Sequence, residues 1–322
     1  MKIDRPLLKL PRLYDAERLA DEIRALPPSA WLPHPGKVVG NDAVPMITPN
    51  GAITNAFAGP MAPTEHLLAC PYILDIMADI EAVWGRSRLM GLAAGAVVPE
   101  HVDVGHYWRT HFRIHIPVIT NPKVVFTCEG EMVNMAPGEC WIFDSFRTHD
   151  VYNGGSDKRV HLVLDTVGGE KLWDLIREAE AVDRDQLRMI AVEPGSVDKS
   201  GIRYEKVNTP DIMSVWEVRC HVSFLLDQAP RTEPFPKVLQ LIDRFLHHWG
   251  ALWAEFGSAH EGLAHYHRAI ADIRARLGRE GASRIVLPNG VTLDRALNEL
   301  VFMAAAPTPA PTAPQPAVVV AR

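Results

Sequence analysis

The sequence predicts an antiparallel β-sandwich or barrel over residues 86–168, followed by a mostly helical region. Two observations point there. Between 86 and 168, short runs rich in Val, Ile, Phe and Trp alternate with turn residues: RLMGLAAGAVV, HFRIHIPV, KVVFTCEG, EMVNMAPGE, CWIFDS, DVYNGG and RVHLVLDTV. After Gly169 the apolar residues recur every three to four positions instead, in KLWDLIREAEAV, PFPKVLQLIDRFLHHWGALWAEF, LAHYHRAIADIRARLG and TLDRALNELVFMAAA.

In chain order, the first 30 residues read as a helix, with Asp15 as its cap, Leu19, Ile23 and Leu26 at helical spacing, and Pro27-Pro28 as its stop. Residues 31–63, rich in Pro, Gly and Asn, read as loops with short strands. A helix is predicted over TEHLLACPYILDIMADIEAVWG, with Pro71 in its early part or marking a break. The β segment follows. The stretch 193–210, with Gly195, Gly201 and Pro210, reads as a connection, and the Pro/Ala-rich end PTPAPTAPQPAVVVAR as disordered. The expected division is a β domain over 1–168, a helical domain over 169–305 and a tail over 306–322.

Composition excludes several function classes. The 33 basic and 39 acidic residues leave a net charge of −6, which argues against non-specific nucleic-acid binding. Cys70, Cys128, Cys140 and Cys220 form no C-x-x-C pair, which suits a thiol-reducing compartment and not a zinc ribbon. Charge interrupts the N-terminus every few residues, so no signal-peptide core is present, and the run MGLAAGAVVP is too short for a bilayer. These features predict a cytoplasmic protein with neither nucleic-acid nor membrane partners.

The stretch HVDVGHYWRTHFRIHIPV sets four histidines, two arginines and an aspartate within strand-like sequence. Side chains alternate between the two faces of a strand. His101 and Asp103 therefore share a face, as do His111, Arg113 and His115, and as do Arg159, His161 and Asp165. The interleaved Ile114, Ile116, Val160, Leu162 and Leu164 are apolar. Burying the charged face is very costly unless it meets a charged ligand or a metal. The alternative is that the apolar set points inward and the charged face is wet.

His149, in FDSFRTHDVYNGG, lies 48 residues beyond His101, and Arg159 follows it by 10. Two histidines and one carboxylate make the facial triad of non-haem Fe(II) oxygenases, which leaves positions open for a chelating co-substrate and O2. An arginine behind such a site would hold a distant carboxylate in a bidentate pair.

On these motifs, residues 86–168 resemble the aspartyl/asparaginyl β-hydroxylase family within the cupin-like Fe(II)/2-oxoglutarate dioxygenases. The matching stretches are RLMGLAAGAVVPEHVD, FRIHIPVITNP, PGECWIFDSFRTHDVYN and RVHLVLD, and the spacing is similar to that of the bacterial proline cis-hydroxylase branch, which keeps the aspartate of H-x-D. The resemblance implies a mainly β double-stranded β-helix, or jelly roll, with flanking helices and a helical C-terminal region. It implies that His101, Asp103 and His149 ligate Fe(II), and that Arg159 binds the far carboxylate of 2-oxoglutarate. Arg113 and His115 would support the co-substrate or the substrate, and Arg88 is the candidate for a substrate carboxylate. The reaction implied is hydroxylation of an amino acid, free or in a peptide, with 2-oxoglutarate and O2 consumed and succinate and CO2 released. Where relatives often place Pro before the glycine leading to H-x-D, this chain has Ala94-Gly95, so a local turn difference is expected.

Other readings compete. The triad residues could be unrelated surface groups, and Arg159 could pair with Asp165. His106 and His111 read as loop or rim residues, Asp144 and Asn153 as turn stabilisers, and Trp141 and Phe143 as packing. The histidines at 247, 248, 260, 265 and 267 look like a second metal cluster only on paper: His248 precedes Trp249 on an amphipathic helix, helical faces commonly carry His, and none of the five is expected to be a ligand. A non-catalytic cupin-like module that binds a metal or small molecule is the main alternative, and a metal hydrolase or isomerase on the same fold is a third. Arg159 favours the oxygenase, because a hydrolase needs no buried arginine there.

Overall fold

The computed structural model describes residues 3–36 and 38–307 and the backbone of Val318–Val319. The expected disordered tail falls, from residue 308 on, outside the described residues except for that pair. Two compact units emerge. Among the described residues, the first takes the chain up to Asp103, Thr110–Asn208 and Val318–Val319, and the second takes Val104–Arg109 and residues 209–307. The boundary therefore lies forty residues beyond the expected one at 168/169.

The first unit is a jelly roll. Its central strands are β5 (Val83–Leu92), β6 (Val97–Val102), β7 (Phe112–Ile119), β8 (Val124–Cys128), β9 (Glu131–Val133), β10 (Glu139–Phe143), β11 (His149–Asn153) and β12 (Arg159–Gly168). Four of them form the order β10-β7-β12-β5 in the larger sheet, and the other four the order β6-β11-β8-β9 in the smaller. The larger sheet is extended beside β10 by β1 (Leu7–Tyr14) and β13 (Ile190–Val192), and beside β5 by β3 (Asn41–Pro49) and β2 (Leu32–Pro33). Two short strands, β4 (Met61–Pro63) and β14 (Arg203–Tyr204), pair with β3 and β5. Val318–Val319 lie antiparallel to β6.

Alternation decides what each face of the larger sheet meets. Leu8, Leu10, Val44, Met46, Leu89, Ile114, Ile116, Ile142, Val160, Leu162 and Leu164 form one core with α1 (Ala16–Arg24), α3 (Pro71–Ile80) and α5 (Glu170–Glu180), which contribute Leu19, Ile23, Ile73, Ile76, Leu172, Leu175 and Ile176. Those last three residues are why α5 belongs to the first unit. The opposite face looks into the roll, where Leu7, Leu92, Trp141 and Phe143 pack on Val124, Phe126, Cys128 and Val151. The charged alternates Arg113, His115 and Asp165 share that inner face with Phe143 and Trp141, which are their direct cross-strand partners or one strand further on. The apolar set is therefore covered by helices, and the charged face is enclosed rather than wet.

Three local expectations change. The helix of the first 30 residues begins only at Ala16, capped by Asp15, whose carboxylate accepts from the Arg18 amide at 2.9 Å. Residues 7–14 instead form a strand that pairs Leu8 with Ile142 and Leu10 with Cys140. Within 31–63, Asn41–Pro49 is a nine-residue strand paired with β5, with only the two-residue β2 beyond it in the strand order. The helix over 64–85 divides into α2 (Glu65–Leu68) and α3, with Pro71 as the first residue of α3, and Glu81 closes α3 at φ 54° in the left-handed region. The chain then enters β5 at Val83. Gly95, at φ +70°, turns the chain from β5 into β6 where Ala94-Gly95 stands.

Between β6 and β7 the chain forms the short helix α4 (His106–Thr110). In the second unit α6 (Val215–Gln228), α7 (Phe235–Phe256), α8 (Leu263–Arg279), α9 (Leu293–Leu297) and α10 (Met303–Ala305) pack around buried Trp249, which donates to the Met213 carbonyl at 3.0 Å and touches Phe245 and Tyr266. The periodicity reading missed α6, although its capping box, Ser214 with Glu217, is the S-x-x-E signal of a helix start. None of the described helices is long and apolar enough to cross a membrane.

Candidate metal centre

Strands β6 and β11 run antiparallel with His149 directly opposite His101. Their ring centroids are 4.1 Å apart. Asp103 lies one residue past the end of β6, held there by its amide, which donates to the Ser145 carbonyl at 2.9 Å. His149 Nε2 is 4.0 Å from Asp103 Oδ2, and one donor atom from each of the three residues lies within 4.8 Å of the others. The structure thus brings together the three ligands expected from the sequence, all buried inside the roll.

The protonation states suit a divalent cation. His101 Nδ1 lies 2.8 Å from the Pro99 carbonyl and His149 Nδ1 2.9 Å from the Arg147 carbonyl. A carbonyl only accepts, so each Nδ1 carries a hydrogen, which leaves Nε2 as the ring nitrogen that can coordinate. Burial, and then His101, push His149 down to about 3. Burial works to raise the Asp103 pKa, but Arg113 first, then His149, His101 and Arg86, outweigh it, so the carboxyl sits below its ordinary range. Two imidazoles and one carboxylate are a donor set that fits Fe(II). Phe143 closes one side, its ring 4.8 Å from that of His149, and Phe126 stacks at 6.4 Å. Both act as packing, as expected for Phe143, and they also line the centre.

Arg113 donates to Asp103 Oδ2 at 2.9 Å and to Asp165 Oδ1 at 3.3 Å. Its partners here are thus Asp103, one of the expected ligands, and a second aspartate. Asp165 pairs with Arg113, so the alternative of an Arg159–Asp165 bridge is not realised. Arg159 is 4% exposed, makes one side-chain hydrogen bond, from Nη2 to His161 Nδ1 at 2.8 Å, and leaves its Nε without a partner. Burial pulls its pKa down to about 9, which leaves it cationic at neutral pH. Among the described residues no carboxylate is bonded to this buried guanidinium, whose charge and donors suit an anion.

His115 is buried with neither ring nitrogen partnered, set edge-on to Phe126, Phe143 and His161. Burial first, then Arg159, keep it neutral. Arg88 is 5% exposed, and its Nε and Nη2 are unpartnered. It lies opposite Val163, which in turn lies opposite His115, so it shares the inner face.

Some residues depart from expectation. His111 is not a rim residue: it is buried just before β7 and lies 3.0 Å from Glu205. That pairing joins residues 94 positions apart, so no sequence pattern announces it. His34, in the loop between β2 and β3, went unnoticed. Burial first pushes it down to about 4, with Arg86, Arg113 and His101 also lowering it and Asp103 opposing them. Arg86 lies 3.6 Å over the Phe57 ring. Asp144 and Asn153 stabilise turns as expected: Asp144 accepts from the Phe146 amide, and Asn153 donates to the carbonyls of Leu92, Ala93 and Asp157. The C-terminal histidines do not gather; His247 bonds the Asp243 carbonyl, His265 stacks on Phe256, and His267 bonds the Ala306 carbonyl. His106 sets its ring edge-on to that of His221.

Comparison with known proteins places residues 57–168 in a match to the family model described as aspartyl/asparaginyl beta-hydroxylase. Among solved structures, the chain is similar to a 2OG-Fe(II) oxygenase family oxidoreductase from Burkholderia pseudomallei, at 14% identity over 48% of this chain and 80% of that one, with a TM-score of 0.37. It is similar to a Pseudomonas putida prolyl-4-hydroxylase at 13% identity over 51% of this chain and 92% of that one, with a TM-score of 0.35. A predicted oxalate decarboxylase from Thermotoga maritima matches at 23% identity over 26% of this chain and 66% of that one, with a TM-score of 0.22.

Proposed function

We propose, from the match of residues 57–168 to the aspartyl/asparaginyl beta-hydroxylase family model, that the protein is an Fe(II)- and 2-oxoglutarate-dependent dioxygenase that hydroxylates an amino acid. The substrate is either free, such as proline, or an Asp/Asn-type residue within a peptide. The observation that carries this reading is the joint enclosure, within one roll, of the His101–Asp103–His149 donor set and the carboxylate-free guanidinium of Arg159.

His101, Asp103 and His149 would hold the metal, which with O2 supplies the oxidising power to break an unactivated C–H bond and to release succinate and CO2 from 2-oxoglutarate. Arg113 fixes the Asp103 carboxylate and keeps it ionised. Arg159 binds the far carboxylate of the co-substrate through its fork. His115, neutral and unpartnered, offers a ring N–H to either bound molecule. Arg88 takes the carboxylate of the substrate. Phe126, Phe143 and Trp141 keep water from the interior, which strengthens each of these contacts.

The test is succinate formation from 2-oxoglutarate by the Fe(II)-loaded protein under air, with each of the twenty amino acids in turn and mass spectrometry for one added oxygen. Amino-acid-dependent succinate with a matching +16 product is the expected result. If metal-loaded protein neither binds 2-oxoglutarate nor forms succinate with any of them, the proposal is wrong.

A further inference from the structure

We propose that His161 is the positioning residue of Arg159, aiming the guanidinium so that the site favours a 2-oxo acid carrying a second carboxylate over one without it. The inference rests on the co-substrate reading above and concerns a residue to which that reading gives no role.

His161 stands two residues after Arg159 on β12, on the same inward face, and is 1% exposed. Its Nδ1 lies 2.8 Å from Arg159 Nη2. A guanidinium has only donors, so that nitrogen must accept, and the hydrogen of His161 sits on Nε2. A protonated His161 would set N–H against N–H. Burial, followed by Arg159 and His115, holds its pKa well below 6.5, so the accepting lone pair persists at neutral pH.

The bond matters because it is the one side-chain hydrogen bond Arg159 makes. No carboxylate and no backbone carbonyl is bonded to the guanidinium among the described residues, and its Nε is unpartnered. Without the imidazole, a long side chain would have to choose among its rotamers in each binding event and lose that freedom on ligand capture. With it, one edge of the fork is fixed and the remaining donors face the interior. The Nε2–H of His161 is likewise unpartnered, and the His115 ring lies 5.9 Å away at 81° with both nitrogens unpartnered. A carboxylate at Arg159 would thus enter a pocket of three polar side chains of which only one is charged.

The test is titration calorimetry on Mn(II)-loaded protein without oxygen, using 2-oxoglutarate and 2-oxovalerate, which has the same carbon chain without the far carboxylate. Wild type is expected to prefer 2-oxoglutarate. His161→Leu should weaken 2-oxoglutarate by about ten- to a hundredfold, as for loss of a hydrogen bond to a charged group, and leave 2-oxovalerate and Mn(II) binding as they were. His161→Asn, which restores an accepting oxygen, should recover most of the loss. Where the Leu variant does not fold, His161→Phe keeps the ring and removes the nitrogens. Undiminished 2-oxoglutarate affinity in the Leu or Phe variant, or equal losses for both acids, overturns the assignment. A wild type that binds the two acids alike defeats the co-substrate reading itself, and so separates that failure from the failure of His161.

Discussion

Arg113 Nη1 lies 2.9 Å from Asp103 Oδ2, and the same guanidinium reaches Asp165 at 3.3 Å through its Nε. The arginine thereby holds the carboxylate beside the two imidazoles and keeps it charged. Removing it leaves one buried carboxylate misaligned and another, Asp165, without this partner. Arg113→Met is expected to weaken Fe(II) or Mn(II) binding by about 10- to 100-fold, the usual cost of losing an outer partner of a metal ligand. Chelator competition measures it. Metal affinity equal to wild type would mean that Asp103 is oriented by its backbone alone.

His149→Ala should abolish metal retention. It removes one of three donors that lie within 4.8 Å of one another and leaves no replacement among the described His, Cys, Asp or Glu residues. Metal content after gel filtration reads the result directly, and stoichiometric iron in the variant would strike His149 from the ligand set.

Arg159→Ala should weaken 2-oxoglutarate binding to the metal-loaded protein by about 3–5 kcal/mol, or a few hundred-fold or more, because the dicarboxylate would be buried with one end unpaired. Calorimetry on the Mn(II) form is the measurement. An unchanged dissociation constant would place that carboxylate elsewhere, with Arg88 the next site to examine.

His115 and His161 both have folded-state pKa values pushed well below 6.5, by burial first and then by Arg159. Above about pH 6.5 they are neutral in both folded and unfolded chains, and stability is undiminished. As pH falls below that value the unfolded chain takes up protons that the native state refuses. Each histidine then costs up to about 1.4 kcal/mol of stability per pH unit, until the depressed native pKa is reached. Metal-free protein should therefore show a urea midpoint that drops from pH 7.5 to 5.5, with a shallower slope in His161→Leu. Midpoints that coincide at the two pH values would contradict the neutral burial of these rings.

The legible part of the sequence was the part governed by alternation. Arg113, His115, Arg159 and His161 could be assigned to shared faces from spacing of two, and the structure places them there. Which face was enclosed could not be read locally, because it depends on α1, α3 and α5 covering the other side. Residues 7–14 were read as helix because the Leu19–Leu26 periodicity spilled backward past Asp15; the antiparallel pairing with β10, about 130 residues away, decides otherwise. His111–Glu205 likewise arises from a contact distant in sequence. The α6 capping box was visible and went unused, since the helix behind it lacks a clean apolar stripe.

His101 and His149 each point their Nδ1 at a carbonyl two residues earlier, of Pro99 and Arg147. The acceptor in both cases is main chain, so no replacement at position 99 or 147 deletes it outright. Ring orientation is thus set by the main chain and not by a partner side chain. Side chains around the two rings can therefore be exchanged while the main chain keeps both imidazoles turned the same way.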